Sequence, residues 1–257
     1  MTTSIPVLLY HSVNDHAAAE DRPWTVSPAI FASHIDAVTA SGRDAMTVSQ
    51  IAEALRGERP LPARPVGITF DDGFSDNYDA LFWLQTRGLV STIYITTSEI
   101  GRRNRLSPQQ VAGLAGAPSV EVGAHAVRHR RLDELDIGEL ITEVRDSKSE
   151  LEELAQAGVG SFAYPHGAFD RRVRQAVMDA GYRSAAAVKN ALSHERDDPF
   201  AIARWTVTAG TSAARIAEVL EGETVSPAWA HDRLRTRAYR VARRSRRRLA
   251  VTVGRTR

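Results

Sequence analysis

The chain has 257 residues, of which 43% are hydrophobic and 25% are charged, and it contains no cysteine. A chain of this length and composition can bury a sizeable core as one α/β barrel or as two small domains. The lack of cysteine excludes disulfides, thiolate metal sites and cysteine nucleophiles. No run of about 18 uncharged apolar residues is present, which excludes a membrane-spanning helix.

The formal net charge of +2 is unevenly distributed along the chain. Residues 231–257 contain eleven arginines and one acidic residue, a net +10, which leaves −8 on the other 230 residues. An acidic body argues against nucleic-acid binding, because phosphate affinity requires a positive face. The first twenty residues have a four-residue apolar run and no basic start. We therefore expect no secretory signal and a cytoplasmic location. A peripheral position at the inner face of the membrane is the alternative.

Seven short apolar runs predict β-strands. Each is rich in Val, Ile, Tyr or Phe and is bounded by Gly, Pro or polar clusters, as strands are. In chain order they are Val7–Tyr10, Val66–Phe70, Val90–Thr96, Val120–Ala124, Ser161–Tyr164, Tyr182–Val188 and Ile202–Val207.

Amphipathic segments between these runs predict helices, and most of them carry a capping signal. One helix is expected around Asn77–Arg87. The longest is expected to begin at Asp136 and to end at Gly158, with an apolar stripe made of Leu140, Ile141, Val144, Leu151 and Leu154. The N-caps predicted for the other helices are Ser27, Thr47, Ser107, Asp170 and Ser212.

The repeated alternation of strand and helix predicts a parallel sheet with helical crossovers. The length suits a closed barrel better than an open sheet, although periodicity alone does not separate the two. We expect one α/β domain over residues 1–225, followed by an Arg-rich tail over residues 226–257.

Residues able to do chemistry stand at the carboxyl ends of four predicted strands, the edge of a parallel α/β fold at which ligands bind. They are His11, the pair Asp71 and Asp72, His125 with His129 shortly after it, and His166. An isolated loop position explains any one of them. Their concentration at one edge indicates a site.

Two adjacent carboxylates, Asp71 and Asp72, end a strand that is expected to be buried. Such a pair is costly unless a positive charge compensates it. A divalent cation would do so, and it would leave one carboxylate as a ligand and the other free to accept a proton. The alternative is that the pair caps the helix around Asn77–Arg87.

His125 and His129 are four residues apart, a spacing that on a helix or tight turn directs two imidazoles to one centre. Such a pair also occurs by chance on solvated surfaces. Together with Asp72, however, it provides one oxygen and two nitrogen ligands with open positions, which is typical of catalytic metal sites.

These residues lie in motifs that resemble a known family. Ile68-Thr-Phe-Asp-Asp-Gly73, His125-x-x-x-His129 and Phe162-Ala-Tyr-Pro-His-Gly167 are similar to the first three motifs of the polysaccharide deacetylases, the NodB-homology domains of carbohydrate esterase family 4. The opening Pro6-Val-Leu-Leu-Tyr-His-Ser-Val13 resembles an N-terminal Tyr-His element of one subgroup, which includes poly-N-acetylglucosamine deacetylases. The resemblance runs in consistent order from about residue 5 to residue 210.

The resemblance implies a distorted (β/α)7 barrel and one divalent ion, zinc or else cobalt, nickel or manganese, held by Asp72, His125 and His129. It also implies that Asp71 is the general base, which takes a proton from the metal-bound water.

The resemblance further implies an oxyanion site in the segment Tyr164, Pro165 and His166, where a backbone N–H would assist the metal. The family's usual Leu-x-His motif is not found near the C-terminus, so the acid that protonates the leaving amine is expected to be His11, as in the Tyr-His subgroup.

Three positions depart from the family pattern. Ala126 stands where a small hydroxyl residue is usual, and His166 stands where an aromatic residue follows the proline of the third motif. Ala163 replaces the arginine that orients the catalytic aspartate. Arg204, on the last strand, is expected to take over that task.

Three functions follow as alternatives. The first is a metal-dependent hydrolase that removes N-acetyl, or O-acetyl, groups from a saccharide. The second is an amidohydrolase of linear or cyclic amides such as ureides, and the third is a glycan-binding protein that has lost turnover. Aromatic side chains that could stack on sugars, although most such residues are core, are Trp24, Phe74, Tyr78, Tyr164 and Trp205.

The Arg-rich tail has three interpretations. It could lie on an anionic membrane surface or anionic polymer, dock on the acidic body, or remain a disordered solvated segment.

Overall fold

A computed structural model of the protein describes residues 3–228, so nearly all of the predicted tail lies outside the described residues. Seven parallel strands form a closed barrel in the order β1-β7-β6-β5-β4-β3-β2, and β2 pairs again with β1. Their bounds are β1 Val7–Tyr10, β2 Pro65–Phe70, β3 Ser91–Ile95, β4 Val120–Ala124, β5 Ser161–Ala163, β6 Ser184–Val188 and β7 Ile202–Thr206. The prediction of seven strands and of a closed (β/α)7 barrel is confirmed.

Seven α-helices lie on the outside of this barrel. They are α1 Pro28–Ala40, α2 Val48–Leu55, α3 Asn77–Thr86, α4 Pro108–Ala115, α5 Ile137–Ala155, α6 Arg171–Asp179 and α7 Ala213–Glu221. All six predicted side-chain N-caps are present, and Thr47 and Ser107 form full capping boxes with Gln50 and Gln110. No helix within residues 3–228 combines the length and apolar character needed to cross a membrane.

Five short strands escape the sequence pattern because they have two or three residues each. Asp44–Met46 pairs with the start of β2, and Ser4–Ile5 pairs antiparallel with Ser193–His194. Ser12–Val13 pairs with Thr25–Val26, directly after the end of β1. This last pairing braces the chain next to His11, at the carboxyl edge of the barrel.

Details of α5 differ from expectation. Helix α5 stops before Gln156, which adopts the left-handed conformation, rather than at Gly158. Ile141 was expected in the apolar stripe of α5 but is 43% exposed, because it lies at the edge of that stripe. In α1, the polar residue His34 is fully buried.

Gly123→Ala in β4 tests how tightly the barrel interior is packed. A Cβ atom at Gly123 would lie 2.6 Å from ring carbons of the buried Tyr94 and 3.0 Å from the Ser161 carbonyl oxygen. Since these neighbours have no room to withdraw, we expect the free energy of unfolding, measured in urea, to fall by about 1–3 kcal/mol. The control is Gly138→Ala in α5, whose nearest contact would be 3.5 Å away. Equal effects of the two substitutions would contradict the prediction.

The second prediction concerns His34, whose Nε2 donates to the Thr211 carbonyl oxygen at 3.0 Å while Nδ1 accepts from the Tyr10 hydroxyl at 3.3 Å. Burial lowers the pKa of His34, and the bond to Thr211 only partly opposes this. The unfolded chain therefore protonates His34 at a higher pH than the folded protein does, and stability declines as the pH falls below about 6.5.

In urea titrations at pH 7.5 and pH 5.5, we expect His34→Gln to show a smaller acid-induced loss of unfolding free energy than the wild type. His16→Gln, at an exposed position, should retain the full loss. An unchanged loss in His34→Gln would show that the proton uptake occurs elsewhere.

Candidate active site

The carboxylate pair lies where β2 ends at the mouth of the barrel. The N–H of Asp71 donates to the Tyr10 carbonyl oxygen at 2.9 Å, which extends the β1–β2 ladder by one residue. Asp72 then takes φ +72°, a left-handed conformation that aspartate tolerates better than most residues. The residue at the N-cap of α3 is Asp76, so the alternative of Asp71 and Asp72 as a capping pair is wrong.

Asp71 is held by Arg204 from the last barrel strand. Nη1 of Arg204 lies 2.6 Å from Oδ1 of Asp71, and Nη2 lies 2.8 Å from Oδ2. Both side chains are buried, and Nη1 also donates to the Thr69 hydroxyl at 3.2 Å. Two parallel hydrogen bonds fix the plane of the carboxylate as well as its position. Arg204 thus reaches Asp71 from β7, whereas the third motif has Ala163 where the family pattern has an arginine.

The two imidazoles come from the loop that follows β4. Nδ1 of His125 lies 2.8 Å from the Ala163 carbonyl oxygen, which can only accept, so His125 carries a proton on Nδ1. His129 has φ +52°, and its Nε2 lies 3.4 Å from Oδ1 of Asp72. Nε2 of His125 lies 3.6 Å from the same oxygen.

These ligand atoms fit a divalent cation. The atoms offered by Asp72, His125 and His129 all lie within 4.8 Å of one another. Oδ1 of Asp72 is buried and has no hydrogen-bond partner among the described residues, and the neutral His125 presents an unprotonated Nε2 to it. Electron pairs that face each other in a buried site repel unless a cation lies between them. One oxygen and two nitrogen ligands are a donor set suited to a zinc-type ion.

The ionisable groups have pKa values shifted in different directions. Burial by itself raises the pKa of Asp71, but the charge of Arg204 and its hydrogen bonds bring it down to about 2. Burial raises the pKa of Asp72 to about 6. Burial also lowers the pKa of His125 to about 3 and lowers that of His129. Both imidazoles are therefore neutral, the form that binds a metal.

His11 lines the same cavity from the end of β1. Its Nδ1 is buried and has no hydrogen-bond partner within residues 3–228. Its ring lies 5.7 Å from that of Trp24. Asp71 and Asp72 line this cavity as well, so the imidazole of His11 shares it with the carboxylate pair.

Two residues that the sequence analysis missed hold the His11 segment. Nδ2 of Asn77 donates to the His11 carbonyl oxygen at 2.6 Å. The carboxylate of Asp76 accepts from the Ser12 hydroxyl at 2.7 Å and from the Val13 N–H at 3.1 Å. The available signal is two polar residues at the start of the predicted helix, soon after the Asp71-Asp72 pair. A helix start alone accounts for both, so the sequence does not distinguish their further role.

The three residues of the segment expected to stabilise the oxyanion, 164–166, lie in different surroundings. Tyr164 is fully buried, its ring stacks on Phe169, and its N–H donates to the Ala186 carbonyl oxygen. Tyr164 therefore belongs to the core, which corrects its prediction as a substrate contact. Pro165 has no N–H to donate. His166, with φ +57° and a ring 4.4 Å from that of His129, is the residue of this segment that stands in the cavity wall.

A cavity of about 960 Å³ opens above these residues. Of the five aromatic candidates, Trp24 and Trp205 line the cavity, the first from the loop before α1 and the second from β7. Phe74 lies buried beneath Arg105, whose guanidinium carbon is 3.8 Å from the ring centroid. The cavity is large enough for a small organic ligand and offers two indoles against which a sugar could pack.

Comparison with known proteins identifies the family. The profile described as Polysaccharide deacetylase matches residues 58–185. A Bacillus subtilis (strain 168) protein, YxkH, named as a polysaccharide deacetylase, is 24% identical over 218 residues, which cover 84% of this chain and 76% of that protein. The poly-beta-1,6-N-acetyl-D-glucosamine N-deacetylase of Escherichia coli (strain K12) is 34% identical over 73 residues, 28% of this chain. The match spans only 11% of that enzyme.

The fold is shared with a solved structure, the Streptococcus pyogenes deacetylase PplD in complex with acetate. The TM-score is 0.77 at 19% identity, with 86% of this chain and 99% of that chain covered. The family profile and the Bacillus relative identify an enzyme, a hydrolase of the carbohydrate deacetylase class. Residues 58–185 carry a polysaccharide deacetylase domain, as the motifs of the chain indicated.

The buried ion pair generates a prediction for Arg204→Met. Removal of the guanidinium leaves the Asp71 carboxylate buried without its partner, so we expect a loss of about 3–5 kcal/mol in unfolding free energy. The matched control is Arg174→Met, which removes an equally two-pronged pair with Asp198 at 2.8 and 3.0 Å. That pair is about one-third exposed, and its loss should cost about 1 kcal/mol or less. If urea titrations give similar losses of unfolding free energy for both variants, the prediction that the buried pair matters more than the exposed one is wrong.

Proposed function

We propose that the protein is a metal-dependent deacetylase that removes N-acetyl groups from a saccharide. One observation carries the proposal. Asp72, His125 and His129 each bring one possible ligand atom within 4.8 Å of the others, directly beside a second carboxylate, Asp71, whose charge Arg204 already balances. This arrangement provides a cation site and a separate proton acceptor side by side.

Asp72, His125 and His129 are the residues that would hold the cation, with zinc as the proposed ion. When bound, a divalent cation supplies a Lewis acid that polarises a carbonyl group and makes a water more acidic. The chain prepares this site in two ways. The bond from His125 Nδ1 to the Ala163 carbonyl oxygen fixes the tautomer and the ring orientation, and burial keeps both imidazoles neutral.

Asp71 is proposed as the general base that accepts a proton from the attacking water. Arg204 holds both of its oxygens, so the carboxylate stays ionised and cannot rotate away. Oδ2 of Asp71 lies 3.7 Å from Nε2 of His125, which places this oxygen next to the proposed ligands. The base is therefore positioned close to the reacting centre rather than tuned to a pKa near neutrality.

His11 is proposed as the acid that protonates the leaving amine. Asn77 fixes the backbone of His11, and the unpartnered Nδ1 leaves the ring able to exchange a proton with a bound substrate. In the segment of residues 164–166, the Tyr164 N–H is engaged and Pro165 has none, so His166 is the proposed backbone donor to the developing oxyanion.

The proposed substrate is an N-acetylated hexosamine unit of a saccharide. The partly matching Escherichia coli enzyme is named for an N-acetyl-D-glucosamine polymer, and that name supports an N-acetyl rather than an O-acetyl group. Trp24 and Trp205 would flank the sugar in the cavity. Two of the departures from the family pattern, Ala126 and Ala163, remove no ligand, and Arg204 supplies the contact that Ala163 lacks.

The test separates ion binding from catalysis. Asp72→Ala and His125→Ala should lose both the bound metal, measured by elemental analysis, and acetate release from N-acetylglucosamine oligomers. Asp71→Asn should keep the metal but lose about 10²-fold or more in kcat, because it removes the base and not a ligand. An exposed variant, Glu150→Gln, controls for handling.

Three results would refute the proposal. They are full acetate release by chelated, metal-free wild-type protein, metal retention in Asp72→Ala, and undiminished turnover in Asp71→Asn.

A further inference from the structure

The loop that carries both imidazoles, residues 125–129, has an unusual backbone. Ala126 has φ +62° and His129 has φ +52°, so two non-glycine residues of one short loop are left-handed. Such conformations are unfavourable for residues with a side chain, and they persist only where the surroundings fix them. Some contact of the protein must therefore hold this loop in shape.

One side of the loop is held by the main chain. The N–H groups of Thr97 and Ser98 donate to the carbonyl oxygens of Ala126 and Val127 at 3.2 and 3.0 Å. These contacts satisfy acceptors of the loop. They leave open what binds its N–H donors.

Glu143 of α5 binds those donors. One carboxylate oxygen, Oε2, accepts from the N–H of Val127 at 3.0 Å and from the N–H of Arg128 at 2.8 Å. The other, Oε1, accepts from Nη1 of Arg128 at 3.1 Å. Glu143 is fully buried, although it lies on a helix whose other glutamates are at least partly exposed. A buried carboxylate with three donors is a fixed anchor.

The two ligand histidines depend on the loop to different degrees. His125 has its own anchor, the bond from Nδ1 to the Ala163 carbonyl oxygen. Within residues 3–228, the polar side-chain contact of His129 is with Asp72, its proposed fellow ligand. The position of His129 therefore follows the backbone of the loop, and Glu143 binds that backbone one and two residues before it.

We propose that Glu143 is the positioning residue of the 125–129 loop, and that it sets the affinity of the site for its divalent cation by holding His129 within reach of Asp72 and His125. The inference rests on the proposed function in that it concerns the same ion. Glu143 would touch neither the ion nor the substrate. Its effect would pass through two backbone N–H groups.

The decisive variants remove different parts of this contact. Glu143→Leu is similar in size and removes every acceptor. Glu143→Gln can keep an oxygen for the backbone N–H groups but loses the charge, and Arg128→Gln removes only the side-chain ion pair. Glu150→Gln, on the same helix but exposed, is the control.

The first measurement is zinc affinity, by calorimetry on metal-free protein. We expect Glu143→Leu to weaken binding by about 10- to 100-fold, as loss of a contact behind a ligand does. Glu143→Gln should lose less, Arg128→Gln less again, and Glu150→Gln nothing. Excess zinc should restore the kcat of Glu143→Leu but not that of Asp72→Ala, since only the latter lacks a ligand.

The second measurement needs no metal. Amide hydrogen exchange of residues 125–129 in metal-free protein should accelerate in Glu143→Leu and remain unchanged in Glu150→Gln. Thermal unfolding of the same samples shows whether the variant is folded. If Glu143→Leu does not fold, Glu143→Gln decides by the same two readouts.

The outcomes separate the two proposals. Wild-type affinity and wild-type loop exchange in the folded Glu143 variant would overturn the positioning role. Faster loop exchange with unchanged zinc affinity would also overturn it, since Glu143 would then serve only the structure. A wild-type protein that binds no divalent ion would instead refute the proposed function, while the exchange data would still report on the loop.

Discussion

The mutual repulsion of unprotonated acceptor atoms at the mouth of the barrel is the constraint on which the site depends. Nδ1–H of His125 donates to a backbone carbonyl oxygen, which leaves its Nε2 unprotonated, and Oδ1 of Asp72 has no donor among the described residues. In water such groups would turn apart. Here the barrel strands and their loops hold Nε2 of His125 and Nε2 of His129 at 3.6 and 3.4 Å from that oxygen, an arrangement that favours a cation between them.

The backbone around this site is correspondingly strained. Of the seven non-glycine residues with positive φ in the described chain, five lie in the loops around the cavity: Asp72, Ala126, His129, His166 and Asn190. Each lies directly after a barrel strand or shortly beyond it. Conformations of this kind are kept where packing and hydrogen bonds over-determine the chain. The contacts made by Glu143 are of that type, since this residue binds backbone N–H groups of the loop that carries Ala126 and His129.

Nearly all of the barrel, but only part of the candidate site, could be predicted from the sequence. Strands such as Val7–Tyr10 could be predicted because a buried parallel strand is a continuous apolar run, and helix starts because their caps are local. Strands of two residues have no such pattern. Tyr164 was misplaced because position within a motif does not tell which way a side chain points. Glu143 was missed because a glutamate beside an apolar stripe is ordinarily solvated, and its burial depends on a loop that only the folded chain brings to it.

The placement of Arg204 explains how two identical neighbouring groups can take different tasks. Asp71 and Asp72 share a peptide bond, and burial would raise the pKa of both, yet the values diverge to about 2 and about 6. The difference arises because the guanidinium, fixed in β7, reaches Asp71. A cation approaching the pair finds Asp71 already balanced and Asp72 without a positive partner of its own. Under the proposed function, Asp72 would then be the stronger ligand, and Asp71, ionised and immobile, would remain as the proton acceptor. The third motif of this chain has Ala163 in place of an arginine. The difference between the two carboxylates therefore arises from Arg204, on the last barrel strand.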